Sequence, residues 1–335
     1  MTNGRPDTPP QVAVGMNVVV VAVTEGDPRI LTLAAALEGS ARGAPVDALP
    51  FAPLEPERHP TLELGLRTMV REQAGLELGY VEQLYTFGDR YRDSTERHGG
   101  ARAISVAYLA LVREGEGGRG SARWTGAYRY LPWEDWREGR PAIIEREIAP
   151  HLGEWTEAGE GSSRQQRRER VEITFGLGGA PWDAERVLER YELLYEARLV
   201  AEAARDRADT EPAEGRGFGR PMALDHRRML AAALGRLRGK LRYRPVVFEL
   251  LPPTFTLLQL QQVVEALAGV RLHKANFRRL LENAGLVEGI GEFDTATGGR
   301  PAELFRFRRD VLRERPAPGV GLPGTRTEAR VGSGG

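Results

Sequence analysis

TFTLLQLQQVVEALAGVRLHKANFRRLLENAGLVEGIGEFDTATGGRPAELFRFRR, residues Thr254–Arg309, is the stretch whose reading decides the fold. Thr256 and Gln259 have the spacing in which an N-cap hydroxyl and a side chain three residues on satisfy each other's backbone donors, so a helix is predicted to begin here. Leu257, Leu260, Val264 and Leu267 recur at helical period, and Gly269 offers a left-handed stop. A second helix repeats the pattern with Phe277, Leu280, Leu281 and Ala284, closed by Gly285. At about 100° per residue, Arg279 points away from that apolar seam, with Asn276 and Arg278 beside it and Lys274 in the first turn.

Two short helices joined by a tight turn, the second basic outside and apolar inside, describe a helix-turn-helix. Two strands are predicted to complete a winged version, Leu286–Phe293 and Ala302–Arg308, with Phe305 and Phe307 on one face and Arg306 and Arg308 on the other. Between them Asp294–Gly299 is a polar tip with Arg300 beside it. The expected partner is double-stranded DNA, and a protein-docking winged helix is the alternative. Lys274, Asn276, Arg278 and Arg279 are expected in the major groove, where Arg matches a guanine edge and Asn an adenine edge. Thr256, Arg300 and Arg306 are expected at phosphates or in a minor groove.

Working outward, charge separates this module from the rest. The whole chain of 335 residues is neutral. Yet Arg220–Arg315 holds 18 Arg and Lys against 10 Asp and Glu, while residues 1–219 hold 27 against 36. Phosphate neutralisation needs local charge, so a basic module on an acidic body suits nucleic-acid contact by that module alone. The absence of cysteine excludes disulfides and thiolate metal sites. The apolar run Val18–Val23 is too short to span a bilayer, and the flank MTNGRPDTPPQ lacks the layout of a secretory signal, so a cytoplasmic protein is expected.

Upstream, Gly15–Thr24 and Ile30–Leu37 read as strands and Gly39–Ala44 as a loop. Thr61–Ala74 is a helix with Leu62, Leu66, Met69 and Val70 on one seam. Strands come next at Tyr80–Thr86 and Ala103–Val112, and Glu114–Ser121 reads as a hairpin tip. The aromatic run Trp124, Tyr128, Tyr130, Trp133 and Trp136 reads first as core packing, and Ile143–Leu152 as helix. Thr156–Arg170 is polar and reads as a flexible loop. Asp183 is placed as N-cap of one long helix reaching about Arg207, and Asp225–Leu241 as the first helix of the winged module with Arg227, Arg228, Arg236, Arg238 and Lys240 outward. The expected organisation is a first domain over 12–155, a loop, connecting or dimer helix and linker over 156–221, a winged module over 222–315, and a disordered tail over 316–335. The five histidines are scattered and suggest no metal site.

Ala48-Leu49-Pro50, the helix through Ala74, Gly75-Leu76 and the strand after them resemble the loop-helix-loop of the Nudix superfamily. Thr68-Met69-Val70-Arg71-Glu72-Gln73-Ala74-Gly75-Leu76 aligns with the end of that family's box, but its three carboxylate positions hold Met69, Glu72 and Gln73. Hydrolysis of a nucleoside diphosphate needs a hard cation held by several carboxylates, which a thioether and an amide cannot replace. Taken with Val81–Asp89, Arg92-Asp93, Ile104–Ala110, Phe255-Thr256-Leu257, Asn276–Arg279 and Gly299–Ala302, the chain resembles the Nudix-related transcriptional regulators of NAD metabolism (NrtR-like proteins), most nearly the NadQ type. The resemblance covers most of residues 12–316. It implies an α+β protein, an N-terminal Nudix-like α/β/α sandwich with a C-terminal winged helix-turn-helix. It further implies a homodimeric repressor of NAD-biosynthesis genes, and a twofold dimer calls for a palindromic operator. The departures at Thr68, Met69 and Gln73 lead to the expectation of no catalysis, metal or cofactor. Control would come from a nucleotide effector such as NAD, ADP-ribose or ATP. The effector is expected in one cleft formed by Arg67, Arg71, Glu72, Tyr85, Phe87, Arg92 and Arg102. The alternative is a Nudix-type hydrolase with an atypical metal site drawing on Glu63, Glu72, Glu77 or Asp89.

Overall fold

Val18–Val21 run without interruption in the first strand, β1 (Val12–Thr24), and because successive side chains of a strand point to opposite sides they build both faces of a sheet. In the computed structural model, which describes residues 12–35, 45–89, 92, 96, 100–114, 122–207, 218–295 and 301–320, Val18 and Val20 enter one core while Val19 and Val21 enter another. β1 turns back through Glu25 and Gly26, both at positive φ, into β2 (Asp27–Ala35). Short strands β3 (Val46–Ala48) and β4 (Phe51–Pro53) bracket Leu49-Pro50. Helix α1 (Leu62–Ala74) starts at Thr61, whose side chain accepts from the Leu64 N–H, and stops at Gly75 with φ 67°. Then come β5 (Tyr80–Phe87), β6 (Arg102–Leu111) and β7 (Arg123–Gly126). The mixed sheet runs β3-β2-β1-β6-β5, with β4 beside β1 and β7 beside β2, and only β1 and β6 are parallel.

Leu66, Met69, Val70 and Ala74 of α1 close the Val18/Val20 face. A run of helices covers the other face. A π-helical turn (Ile144–Ile148) leads into α2 (Ala149–Glu157), α3 (Gly161–Phe175), α4 (Val187–Glu196), α5 (Ala201–Arg207) and α6 (His226–Tyr243). This is the α/β/α sandwich expected from the sequence.

The region between the halves differs from its reading. Thr156–Arg170 is not a flexible loop: α3 fills most of it, because Val171, Thr174 and Phe175 anchor its end and the half-buried Arg167 lies over the Trp155 ring, while its other arginines and its glutamines stay solvated. The long helix from Asp183 is two helices. Arg198 at φ 60° ends the first, the Leu199 N–H bonds to the Leu194 carbonyl, and Asp183 instead accepts from the Glu185 N–H at 2.9 Å. Helix α6 does not show its arginines to solvent all round; Arg227 and Arg238 are fully buried. The aromatic run packs as core, with Tyr128, Tyr130 and Trp133 buried.

The winged module matches its reading closely. A 3-10 turn (Val246–Leu250) precedes β8 (Phe255–Thr256), α7 (Leu257–Ala268), α8 (Lys274–Ala284), β9 (Val287–Asp294), β10 (Ala302–Phe307) and α9 (Val311–Glu314). The Thr256–Gln259 capping box forms, with bonds of 2.8 and 3.2 Å. Strand order β8-β10-β9 makes the wing sheet, and Phe307 stacks on Phe248 with ring centroids 4.3 Å apart. Most of the tip, with Arg300, lies outside the described residues, as do Gly39–Ala44, most of the Glu114–Ser121 turn, and 321–335. The start of the expected tail is packed: the buried Val320 donates its N–H to the Leu241 carbonyl at 2.9 Å. No helix among the described residues is long and apolar enough to cross a membrane.

Candidate functional site

Helix α8 has the geometry of a reader. Phe277 and Leu281 are buried beneath it, while Lys274, Asn276, Arg278 and Arg279 are exposed. Arg279 Nη2 rests on Asn276 Oδ1 at 3.3 Å, a loose contact that leaves the guanidinium's other donors outward. Two of the other expected DNA contacts change role. Thr256 is only 5% exposed, and its hydroxyl is turned into the α7 cap, so it builds the module rather than touching a phosphate. Arg306 is exposed, yet its Nε donates to Glu288 at 2.7 Å, which lowers the charge it offers. Glu292 and Glu303 are exposed on the same wing strands, so the described part of the wing is less cationic than its arginines suggested.

On α1 the carboxylate positions of the Nudix box form no metal site. Met69 is 3% exposed and belongs to the core. Glu72 faces solvent and pairs with Arg58 at 3.4 Å. Gln73 donates from Nε2 to the Phe51 carbonyl at 2.8 Å. Among the described residues no group of three or more carboxylates or histidines is placed to hold a metal ion. These donors do not fit Mg²⁺ or Mn²⁺, which need hard anionic oxygens in number.

The expected effector residues do not converge. Arg67, Arg71 and Glu72 lie on the α1 side. Arg67 clamps the loop after its helix through the carbonyls of Leu78 and Gly79, and Arg71 pairs with Glu77 at 2.7 Å. Phe87 is buried in the core on the opposite face, and Tyr85 lies under Arg236 of α6, 5.7 Å from ring centroid to guanidinium. Arg92 is bidentate to Asp225 at 2.7 and 3.0 Å, and Arg102 donates to the Gly88 carbonyl at 2.8 Å. The sheet divides the set: residues close along β5 and its loop point to the face that α6 covers.

Sequence reasoning missed the polar groups that join winged module and sandwich. Glu134 is completely buried and receives Arg190 at 2.6 and 3.0 Å, with Arg238 Nη1 at 2.5 Å. Burial alone would raise its pKa, but the two guanidiniums outweigh burial and hold it below the usual carboxylate range. Arg238 also donates to the Leu267 carbonyl at 3.2 Å, Tyr128 donates its hydroxyl to the Ala266 carbonyl at 2.7 Å, and the Trp136 N–H donates to the Gly269 carbonyl at 2.7 Å. Carbonyls at the end of α7 that no helical bond can satisfy are therefore satisfied largely by donors from outside the winged module. At the other end of α6, His226 Nδ1 accepts the Leu49 N–H at 3.0 Å, so its proton sits on Nε2. The side-chain amide of Asn17 lies 2.9 Å from Nε2, and its oxygen is the atom that belongs there. Burial pushes the His226 pKa down to about 4. A charge sign at a sequence position gives no signal of such pairing; only the count of arginines on α6 hinted that some must be inside.

With this geometry in place, comparison with known proteins defines the class first. Residues 247–307 match the family model of the NrtR DNA-binding winged helix domain. The chain is similar in fold to Shewanella oneidensis NrtR crystallised with a 27mer DNA, at TM-score 0.52 and 18% identity over 90% of this chain and 95% of that one. It is likewise similar to a MutT/nudix family protein from Enterococcus faecalis, at TM-score 0.51 and 14% identity over 91% and 90%. The fold is thus a Nudix-like sandwich continued by an NrtR-type winged helix. More particularly, 86 residues are 42% identical to the ADPR responsive transcriptional repressor NtrR of Acinetobacter baylyi, which is 26% of this chain. The matched part spans about a third (34%) of that relative's length.

Proposed function

We propose that this chain is a sequence-specific transcriptional repressor of NAD-biosynthesis genes. It reads DNA through α8 and is regulated by an adenine nucleotide that its Nudix-like half binds without hydrolysing. The observation that carries this reading is the coincidence in one chain of an outward cationic α8 with a box helix whose carboxylate positions hold a buried Met69 and a Gln73 bonded to backbone. The Acinetobacter relative responds to ADPR by its name, and the Shewanella protein was crystallised on DNA; both support the reading. ADP-ribose is accordingly the first effector to try, ahead of NAD and ATP. The α1 side, with Arg67 and Arg71 to meet a diphosphate, is its proposed seat. A homodimer would set two α8 helices about 34–36 Å apart, or a multiple of that, and would require a palindromic operator. Repression places the protein in the cytoplasm with the chromosome.

Footprinting on genomic DNA with and without ADP-ribose, NAD and ATP tests the whole reading. The expected result is a palindromic protected site whose occupancy changes with one nucleotide. Nucleotide binding is expected to survive a chelator, since no set among the described residues fits a divalent ion. Turnover of ADP-ribose at enzyme-like rates with Mg²⁺ would establish the hydrolase instead.

A further inference from the structure

Gln73 stands where the Nudix box would carry a metal-holding carboxylate, and it has acquired a different bond. Its amide grips the Phe51 carbonyl at 2.8 Å, and Phe51 lies on the far side of Pro50 from Leu49. The Leu49 N–H is held by His226, and the Phe51 and His226 rings lie 5.6 Å apart. The short link between β3 and β4 is therefore tied to the box helix on one side and to the first residue of α6 on the other. Asp225, just before α6, is fixed by Arg92. Twelve residues along the same helix, or about 18 Å at 1.5 Å per residue, Arg238 bonds to Glu134 and to the Leu267 carbonyl at the end of α7. Helix α6 is buried along most of its length, and an interior this dense transmits displacement instead of absorbing it.

We propose that α6 carries nucleotide occupancy of the α1 side to the winged module, receiving it through Gln73, the Leu49–Phe51 segment and His226, and delivering it to α7 through Arg238. This rests on the reading that a nucleotide binds on the α1 side. His226 is on this view a positioning residue that touches neither nucleotide nor DNA. The quantity at stake is the coupling factor, the ratio of duplex affinities of the full chain with and without saturating ADP-ribose.

In the full chain, His226→Leu is expected to bring that factor to near one. It should leave duplex affinity without ADP-ribose within about threefold of wild type. His226→Asn, which keeps an acceptor for the Leu49 N–H, is expected to restore most of the coupling. A leucine variant with wild-type coupling overturns the proposal. Hydrogen exchange on the unmutated chain stands whether or not a variant folds. Adding ADP-ribose is expected to change protection at Leu49, in the first turn of α6 and at the end of α7, with α3 unaffected. Changes confined to α1 and its flanking loops would overturn it. A wild-type chain with no coupling to any adenine nucleotide removes this proposal together with the sensor reading, whereas wild-type coupling that ignores His226 removes this proposal alone.

Discussion

Arg279 and Glu134 are both charged side chains on short elements, and they meet opposite fates. Arg279 projects from α8 with one weak contact, so its donors are available to a base edge. On the proposal that α8 reads DNA, Arg279→Ala should relax base preference at one operator position by about 1–3 kcal/mol, measured as the change in discrimination between matched and mismatched duplexes at fixed salt. Equal discrimination before and after would take Arg279 out of the reader. Glu134, by contrast, has no access to solvent and balances two guanidiniums. Glu134→Gln leaves buried positive charge without compensation and should cost about 3–5 kcal/mol in chemical denaturation. His226 sets a pH dependence. Its folded pKa of about 4 lies below the ordinary 6.5, so the unfolded chain takes up a proton first as pH falls. The neutral imidazole's contribution is therefore intact above about pH 6.5 and is lost progressively between there and pH 4. The loss should be on the order of 3 kcal/mol, and the slope should flatten in His226→Asn.

At the scale of elements, local chemistry and tertiary demand agree in the winged module and part in the connecting region. Helix α7 has a capping box at one end and Gly269 at φ 72° at the other, and the structure uses both. Thr256→Ala should cost about 1 kcal/mol of stability. Because Thr256 faces inward, the salt dependence of duplex binding should not change, whereas loss of a phosphate contact would lower the salt slope by about one. Gly269 is more constrained than its left-handed backbone alone requires. A Cβ there would come within 2.5 Å of the Glu134 carbonyl oxygen and 2.6 Å of Arg238 Nη2. In the connecting region α3 shows the reverse. Its composition is that of a loop, and the buried Val171, Thr174 and Phe175 at its end, packed with the helices on either side of it in the chain, make it a helix.

Taken whole, the molecule has no clean seam at residue 222. A single apolar cluster runs from Val19 and Leu109 of the sheet through Leu230 and Leu237 of α6 to Leu260, Phe277 and Leu281 of the winged module. The full chain should therefore unfold in one transition, with tryptophan fluorescence and far-ultraviolet circular dichroism giving coincident midpoints. Two resolved transitions would restore the picture of independent modules.

What the sequence determined by itself was whatever depends on neighbours within about ten residues: the capping box, the seam and outward cations of α8, the continuous valines of β1 and the missing carboxylates of the box. These are local because helix and strand periods are local. What only the tertiary structure decided was which polar groups are spent on each other. The sheet separated Tyr85 and Arg92 from Arg71, the interior claimed Arg238 and Arg227, and His226 became a bond to a loop 177 residues away. Pairing of buried charges is set by three-dimensional proximity under a desolvation penalty, and a linear string carries no record of that distance.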